Sequence, residues 1–403
     1  MSKVVPVFLS YIALCRLCFP QEVSEPELRL RIISACKRAG NALIDRQNKD
    51  GGYGPLINGK SDVGITALVV WALATAPPKY REWDGPYISA AVDYLLKHQK
   101  PDGGIHDGDL WNYKTCVSIM ALSAVNEKKY AKQIKKASEF VKDLQLCEES
   151  PLPYRKDRHV SYGGWGYGST RRADLSNTQF ALEALHTAGV SEEDPVYKRA
   201  IVFLSRCQNS CDTNDAITEG LIPLFGTNDD GGFMYRPGQS QVPPRKLQDG
   251  TLLHSSYGSM TYAGIKSFIY AKMDRNDPRV KKAYAWICKN YTVDENPGMA
   301  TPEDPERGKQ GLYYYYRTMA KALLLWGEPE VPTPKGKRRW AVDLGLKLLS
   351  LQREDGLWVN EADRWWEGIP EVATSYALLT LSDVLEALKR WPAKHGKGKE
   401  AGS

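Results

Sequence analysis

Three carboxylates stand at the head of apolar helical runs: Asp62 in Asp62-Val-Gly-Ile-Thr66, Asp174 in Asp174-Leu-Ser-Asn-Thr178, and Glu371 in Glu371-Val-Ala-Thr374. A carboxylic acid facing an apolar pocket can hand a proton to a bound molecule. Near these acids in the pattern lie Trp111, Tyr113, Trp165, Tyr167, Asn177, Tyr257, Tyr314, Arg317, Trp365 and Trp366. Rings around an apolar space hold a hydrophobic ligand and attract a cation to their faces. The same residues have a plainer reading. Asp at a helix start is an N-cap, and Tyr and Trp pack cores while keeping a polar handle. The six His, at 98, 106, 159, 186, 254 and 395, are scattered, so no metal site and no cofactor are expected.

What must position these groups is a repeat. Six Thr, at 66, 115, 178, 261, 318 and 374, each sit inside a helical run of small and apolar residues. The runs read as helices over Asp62–Thr75, Tyr113–Val125, Asp174–Ala188, Tyr257–Lys272, Leu312–Trp326 and Val372–Leu388, buried on most sides. Amphipathic helices precede them over Glu27–Gln47, Tyr87–Gln99, Tyr130–Gln145, Pro195–Gln208, Pro278–Asn290 and Arg338–Gln352. The connectors repeat as well. Gln47-Asn-Lys-Asp50-Gly-Gly-Tyr53 matches Gln99-Lys-Pro-Asp102-Gly-Gly-Ile105 and Gln352-Arg-Glu-Asp355-Gly-Leu-Trp358, while the fifth copy is eroded to Asn296-Pro-Gly298. Asp and Gly make a tight turn after the helix, and an aromatic plugs the gap beyond it. Twelve alternating helices without a polar capping repeat predict an all-α fold, a closed α/α toroid of six helical hairpins. Repeat four carries an insertion from Asn209 to Asp249. Thr213–Phe225 reads as an extra helix there, and Gln239–Pro244 as a loop over one mouth of the ring.

The apolar fraction of 42% is ample for one large core across the 403 residues. The net charge of +6 gathers in Lys335–Arg339 and in the tail after Lys389, which suits a linker and a solvated end and argues against a nucleic-acid partner. Residues 1–21 have the layout of a secretory signal peptide, with an apolar run from Val4 to Cys15 interrupted by Pro6. This leads to an exported or periplasmic expectation, the alternative being a short buried N-terminal segment in a cytoplasmic protein. Residues 22–390 form the toroid and 391–403 a disordered basic tail, and no run is long enough for an integral membrane segment. Cys36, Cys116, Cys147, Cys207, Cys211 and Cys288 are scattered and read mostly as small buried hydrophobes; Cys207 and Cys211 would share a helix face.

The Gln-x-x-Asp-Gly-x-aromatic copies resemble the QW motifs of squalene–hopene and oxidosqualene cyclases, and the arrangement over residues 27–390 is similar to the β subunit of protein prenyltransferases. The resemblance implies an aromatic central pocket for an isoprenoid-like small molecule. It also implies catalytic signatures, and these depart from the family. Class II terpene cyclases carry Asp-x-Asp-Asp-Thr, whose middle Asp protonates an alkene or epoxide. Here Asp174-Leu-Ser-Asn-Thr178 keeps the first Asp, with Ser176 in place of the proton donor and Asn177 in place of the last Asp. A Ser hydroxyl cannot protonate an olefin, so Asp62 or Glu371 would have to substitute. The zinc ligands of prenyltransferases have no counterpart in Tyr257-Gly-Ser-Met-Thr261 or Val372-Ala-Thr-Ser-Tyr376, and His254 stands alone. For the magnesium motifs of class I synthases, Asp229-Asp230-Gly-Gly-Phe233 lacks the third carboxylate and Ile222 replaces a required Glu.

Two other classes fit the residues. Arg171, Arg172 and Arg317 with Asp62, Asp174, Glu371 and exposed Trp would suit a polysaccharide partner, as in lyases built on α/α toroids, since Arg grips carboxylates in pairs of bonds. A ring without chemistry would bind a protein through its rim.

Overall fold

The computed structural model describes residues 23–168, 172–223 and 225–393. The signal-peptide reading of 1–21, Arg171 and the tail from 394 onwards lie outside the described residues. In chain order the helices are α1 Glu25–Ile44, α2 Val63–Thr75, α3 Pro86–Lys97, α4 Trp111–Asn126, α5 Ala131–Asp143, α6 Leu175–Thr187, α7 Pro195–Cys207, the single turn α8 Asp215–Thr218, α9 Gly258–Tyr270, α10 Pro278–Asn290, α11 Leu312–Trp326, α12 Trp340–Leu351 and α13 Pro370–Arg390.

Sequence character sorts them into two rings. Helix α2 is buried at every residue from Val63 to Ala74, so it needs neighbours on all sides. Helix α5 buries only Ile134, Ala137, Ser138, Phe140 and Val141, and its lysines face water. The inner helices α2, α4, α6, α9, α11 and α13 pack each on the next, and α13 returns to α2. The ring is therefore closed. The outer helices cover it, α3 behind α2, α5 behind α4 and α10 behind α9. The pairing is shifted from the expected one, since α3, α5 and α10 lie chiefly on the inner helix before them rather than on the one after. Helix α1 packs chiefly on α13 and α12, at the other end of the chain. Leu28, Ile32 and Leu43 of α1 are fully buried in consequence, because the last inner helix would otherwise have an uncovered apolar flank.

The repeated residues form one hydrogen-bonded device. The side-chain amides of Gln47, Gln99, Gln145, Gln208 and Gln352 each donate to the carbonyl of a Gly in their own turn and to a carbonyl of another outer helix. For Gln352 that second carbonyl belongs to Ala35 of α1, at 3.0 Å, so the last copy ties the end of the ring to its beginning. The carboxylates of Asp50, Asp102, Asp230 and Asp355 accept the amide two residues on, an Asx turn. The amides of Tyr53, Ile105, Trp165, Phe233 and Trp358 then donate to Thr66, Thr115, Thr178, Thr261 and Thr374 of the next inner helix. Trp165 and Trp358 also donate their indole N–H to Val141 and Leu348 carbonyls. Gly163 is required in its turn: its φ is +84°, and a Cβ there would lie 1.9 Å from the Arg199 carbonyl. In the eroded fifth copy Thr318 bonds only to carbonyls of its own helix, Tyr314 and Tyr315.

Short strands occupy the loops. The strands β1 Tyr53–Ile57 and β2 Lys60–Asp62 form a hairpin around Asn58-Gly59, both at positive φ, a turn pair that favours hairpins. The insertion after α7 does not hold the expected helix over Thr213–Phe225. Only α8 forms before Gly220, at φ +62°, and Pro223 end it; β3 Phe225–Gly226, β4 Arg245–Lys246 and β5 Leu252–Leu253 then form a small sheet ordered β3-β5-β4. A last hairpin, β6 Val331–Thr333 with β7 Gly336–Arg338, precedes α12. Cys207 closes α7 and is buried, whereas Cys211 is exposed in the loop beyond, so the two share no helix face. Among the described residues no helix is long and apolar enough to cross a membrane.

The Thr device predicts an asymmetry between copies. Thr178→Val strands the buried Trp165 amide and should cost about 1–3 kcal/mol. Thr318→Val strands no amide and should cost well under that. Urea unfolding of both variants checks the order; equal costs would show that the Thr bond to the turn is not what holds the copies.

Candidate functional site

The N-terminal ends of all six inner helices converge on a cavity of about 390 Å3. Its walls come from Ile65 of α2, Tyr113 of α4, Ser176, Asn177 and Phe180 of α6, Ser259 and Met260 of α9, Tyr314 of α11, and Val372 and Tyr376 of α13. The cap residues Asp62 and Tyr257 join them, and the loops add Leu110, Tyr167, Tyr235, Gln241, Trp365, Trp366 and Glu367. Four rings from four helices close on one another. Tyr113 meets Phe180 edge-on at 5.0 Å, Phe180 lies 6.1 Å from Tyr314, and Tyr314 lies 6.0 Å from Tyr376. The Tyr113 and Tyr376 hydroxyls complete the circuit at 3.3 Å. Trp365 and Trp366 are about half exposed and both have positive φ, 57° and 66°, backbone strain that a bulky residue rarely adopts.

The structure places eight of the sequence candidates in this wall: Asp62, Tyr113, Tyr167, Asn177, Tyr257, Tyr314, Trp365 and Trp366. It places five elsewhere. Asp174 is buried behind the wall as the N-cap of α6, accepting the Asn177 amide at 2.8 Å and the Asn177 side chain at 2.9 Å. Burial pushes its carboxyl up to about 6 while the Asn177 bonds pull it down. Glu371 faces a separate groove, where Arg46 donates to it at 2.8 Å. Trp111 stacks on His106 and donates to the Gly108 carbonyl. Trp165 is fully buried in its turn, with its indole N–H on Val141. Arg317 sits deeper in the ring, where an ion-pair network fixes it. Of the two remaining arginine candidates, Arg172 is exposed and Arg171 is outside the described residues.

That network lies well along the inner helices from the aromatic rings. Arg317 donates to Glu183 at 2.8 Å and to Asp383 at 2.6 Å, and Lys266 donates to Glu183 at 2.6 Å. The Arg317 guanidinium also lies over the Trp71 ring at 4.9 Å. Five inner helices are joined in this way. Burial alone would raise the Glu183 carboxyl, but Lys266 and then Arg317 hold it down, to about 2. Breaking one partner of such a network leaves a buried charge unpaired. Arg317→Met should therefore destabilise the fold by about 3–5 kcal/mol, measured by chemical unfolding; a loss within 1 kcal/mol would mean the belt is not a structural tie.

Sequence reading missed Glu367, Tyr235, Phe180 and Tyr376. Helical spacing could have found two, since Phe180 follows Ser176, and Tyr376 follows Val372, by four residues. Nothing local marks Glu367. Its carboxylate accepts the amides of Tyr313 at 3.2 Å and Tyr314 at 2.7 Å and the Asn360 side chain at 2.7 Å. It thus caps α11, whose own cap position is Gly311 with no side chain to offer. Burial pushes the Glu367 carboxyl up to about 7, against the pull of Asn360 and the α11 amides. Asp62, the other acid in the wall, is held by Lys114 at 3.0 Å and caps α2. Ser176 faces the cavity with its hydroxyl 3.1 Å from that of Tyr314.

Residues 56–220 match the squalene-hopene cyclase C-terminal domain, and residues 166–328 the prenyltransferase alpha-alpha toroid domain, each less than half of the chain. Drimenyl diphosphate synthase from Streptomyces showdoensis is 25% identical over 217 residues, 53% of this chain and 34% of that protein. The match thus covers only about a third of that relative's length. Among solved structures, a single-residue variant of the type II terpene cyclase MstE from Scytonema, in complex with its substrate geranylgeranyl dihydroxybenzoate, is similar at a TM-score of 0.51 and 15% identity, over 90% of this chain and 99% of that one. D-mannose isomerase gives 0.52 at 13% identity, over 93% and 100%. The chain is a terpenoid-cyclase-like and prenyltransferase-like α/α toroid. Likeness at this level carries the fold and leaves the chemistry to the site.

The Glu367 environment fixes a pH dependence. In the folded chain the group holds its proton up to about 7, against 4.5 for the ordinary side chain. The folded state therefore binds more protons across that window, and this contribution to stability falls as pH rises from about 4.5 to about 7. Glu367→Gln cannot titrate. Its stability relative to the wild type should climb between pH 5 and 7.5 in urea midpoints; a flat difference would place the Glu367 pKa outside that window.

Proposed function

We propose that the central cavity binds a hydrophobic, isoprenoid-like ligand, with Glu367 as the acid presented to its polar end. The observation that carries this reading is the circuit of Tyr113, Phe180, Tyr314 and Tyr376, an apolar enclosure built by four separate helices. The related drimenyl diphosphate synthase and the fold likeness to MstE point the same way. Ser176 occupies the place where the cyclase resemblance puts a proton donor, and Asp174 is turned to capping. Glu367 is the wall carboxyl that holds a proton close to neutral pH. An acid of that strength is too weak to attack an isolated alkene readily, and suits donation to an oxygen on the ligand. The loop 364–367 would then meet the polar end of the ligand, and the aromatic circuit its apolar end.

The carbohydrate reading has less support at this wall. Asn177 is engaged by Asp174 and Asn112, and Asp62 by Lys114 and the Ile65 amide.

Tryptophan fluorescence tests the proposal, since Trp365 and Trp366 stand at the wall. Titration with farnesol should give a saturable change, and titration with mannose none. Ser176→Phe fills the space beside Tyr314 and should weaken farnesol binding tenfold or more, and native mass spectrometry of the same sample gives the stoichiometry. A saturable response to mannose with none to farnesol would replace this reading with the carbohydrate one.

A further inference from the structure

Residues 360–367, in the connection between α12 and α13, form a loop whose ends are tied together. The Asn360 amide donates to the Glu367 carbonyl at 3.0 Å, and the Asn360 side chain to the Glu367 carboxylate at 2.7 Å. Both ends are also fixed to the ring, Asn360 through the Lys309 carbonyl at 2.8 Å and Glu367 through the first amides of α11. A loop closed at its neck in this way is packed as one piece.

The tip, residues 361–366, is held more lightly. Its backbone bonds are local: Asp363 accepts the Gly368 amide at 2.9 Å, and the Trp366 carbonyl accepts the Ile369 amide at 3.0 Å. Among the described residues, the hydrogen bonds that carry the tip across to other segments come from Arg364. Its guanidinium donates to the side-chain oxygens of Gln310 at 2.8 Å and of Gln241 at 3.1 Å. Gln241 belongs to the insertion of repeat four and lines the cavity. It is steadied in turn by Arg307, of the 3-10 turn Pro305–Lys309, which donates to its backbone carbonyl.

Next to this latch stand Trp365 and Trp366. They line the cavity and are about half exposed, so they lie between it and solvent. The Arg364 guanidinium lies over the Trp365 ring at 4.5 Å, and the ring rests on Gly311, where a Cβ would come within 2.9 Å of it. Both tryptophans have a left-handed backbone, at φ 57° and 66°, a conformation that persists only where the surroundings impose it. Here the surroundings include a planar guanidinium fork set on two amide oxygens. With the fork released, the tip has strain to shed and a neck to turn on.

We propose that residues 361–366 are a lid on the central cavity, hinged at Asn360 and Glu367 and latched by Arg364 on Gln241 and Gln310, and that a ligand enters and leaves when the latch releases. The latch rests on the geometry above; its part in ligand entry rests on the proposed function. Arg364 lies outside the cavity wall, so the latch is the same in the empty and the filled ring. It therefore sets the pace of binding and not the affinity.

Arg364→Met keeps an apolar stem over Trp365 and removes the fork. Chymotrypsin cleavage of the ligand-free chain at Trp365 and Trp366, followed by mass spectrometry, reads the latch. It should be about tenfold faster in Arg364→Met than in the native chain, with cleavage elsewhere unchanged, which reports that the ring is folded. Stopped-flow tryptophan fluorescence with farnesol reads the entry step. In the native chain the rate should level off as farnesol is raised; in the variant the ceiling should rise by about tenfold and the dissociation constant stay within about threefold. Gln310→Leu removes one of the two acceptors and should give the same changes in smaller measure; it decides the matter if Arg364→Met is cleaved throughout. Equal cleavage of native and variant chains would overturn the lid, and so would a native rate with no ceiling or a ceiling the variants leave where it was. If cleavage at the two tryptophans quickens while farnesol binds neither chain, the lid stands and the hydrophobic reading of the cavity falls.

Discussion

The cavity exists only while the ring is closed, and closure depends on the apolar flank of α13 being covered by α1. Every inner helix needs neighbours on all sides, because its surface is too apolar to face water. Inside the array the next outer helix supplies the cover. At the end of the chain there is no next helix, and the first one supplies it. Leu28, Ile32 and Leu43 provide the burial, and the Gln352 side chain on the Ala35 carbonyl sets the register. The aromatic circuit, the Glu367 cap on α11 and the Trp365 and Trp366 part of the wall all use α13 or the loop before it, so all of them inherit this constraint.

The charged groups inside the ring are matched with one another or with helix-end amides. Glu183, Lys266, Arg317 and Asp383 are taken from four helices and matched with one another. Asp174 is given to the α6 amide and to Asn177. The belt pins helices that a purely apolar interior would let slide, while desolvation makes it a costly tie to leave half-made. This division separates a charged, self-satisfied region from an aromatic one that keeps open space.

Much of the architecture was legible because its signals are local. A Gln that ends one helix, an Asp-Gly turn and a Thr within the next helix recur at readable spacings, and each makes the same bonds in copy after copy. The eroded fifth copy in the sequence is also the copy whose Thr318 has no turn amide to hold. The start of each inner helix located most of the cavity wall, since a ring brings those ends together. What stayed hidden depends on contacts between distant segments. Whether Asp174 faces inward or caps its own helix is a matter of one rotation, and composition does not report it. Arg317 looked like a mouth residue from its place near a helix start, yet it points to partners on other helices. Glu367 becomes a buried acid only when the loop before α13 folds onto α11, more than fifty residues earlier in sequence.

Glu367 joins structure to chemistry in a single group. As a carboxylate it would cap α11 with two backbone amides; as an acid it must give up one of its acceptor positions. Burial favours the acid and the helix end favours the anion. The balance falls near neutral pH, where a modest change in the cavity tips it. The cap would loosen as the proton is taken up, so the protonation of Glu367 and the stability of the first turn of α11 are tied together.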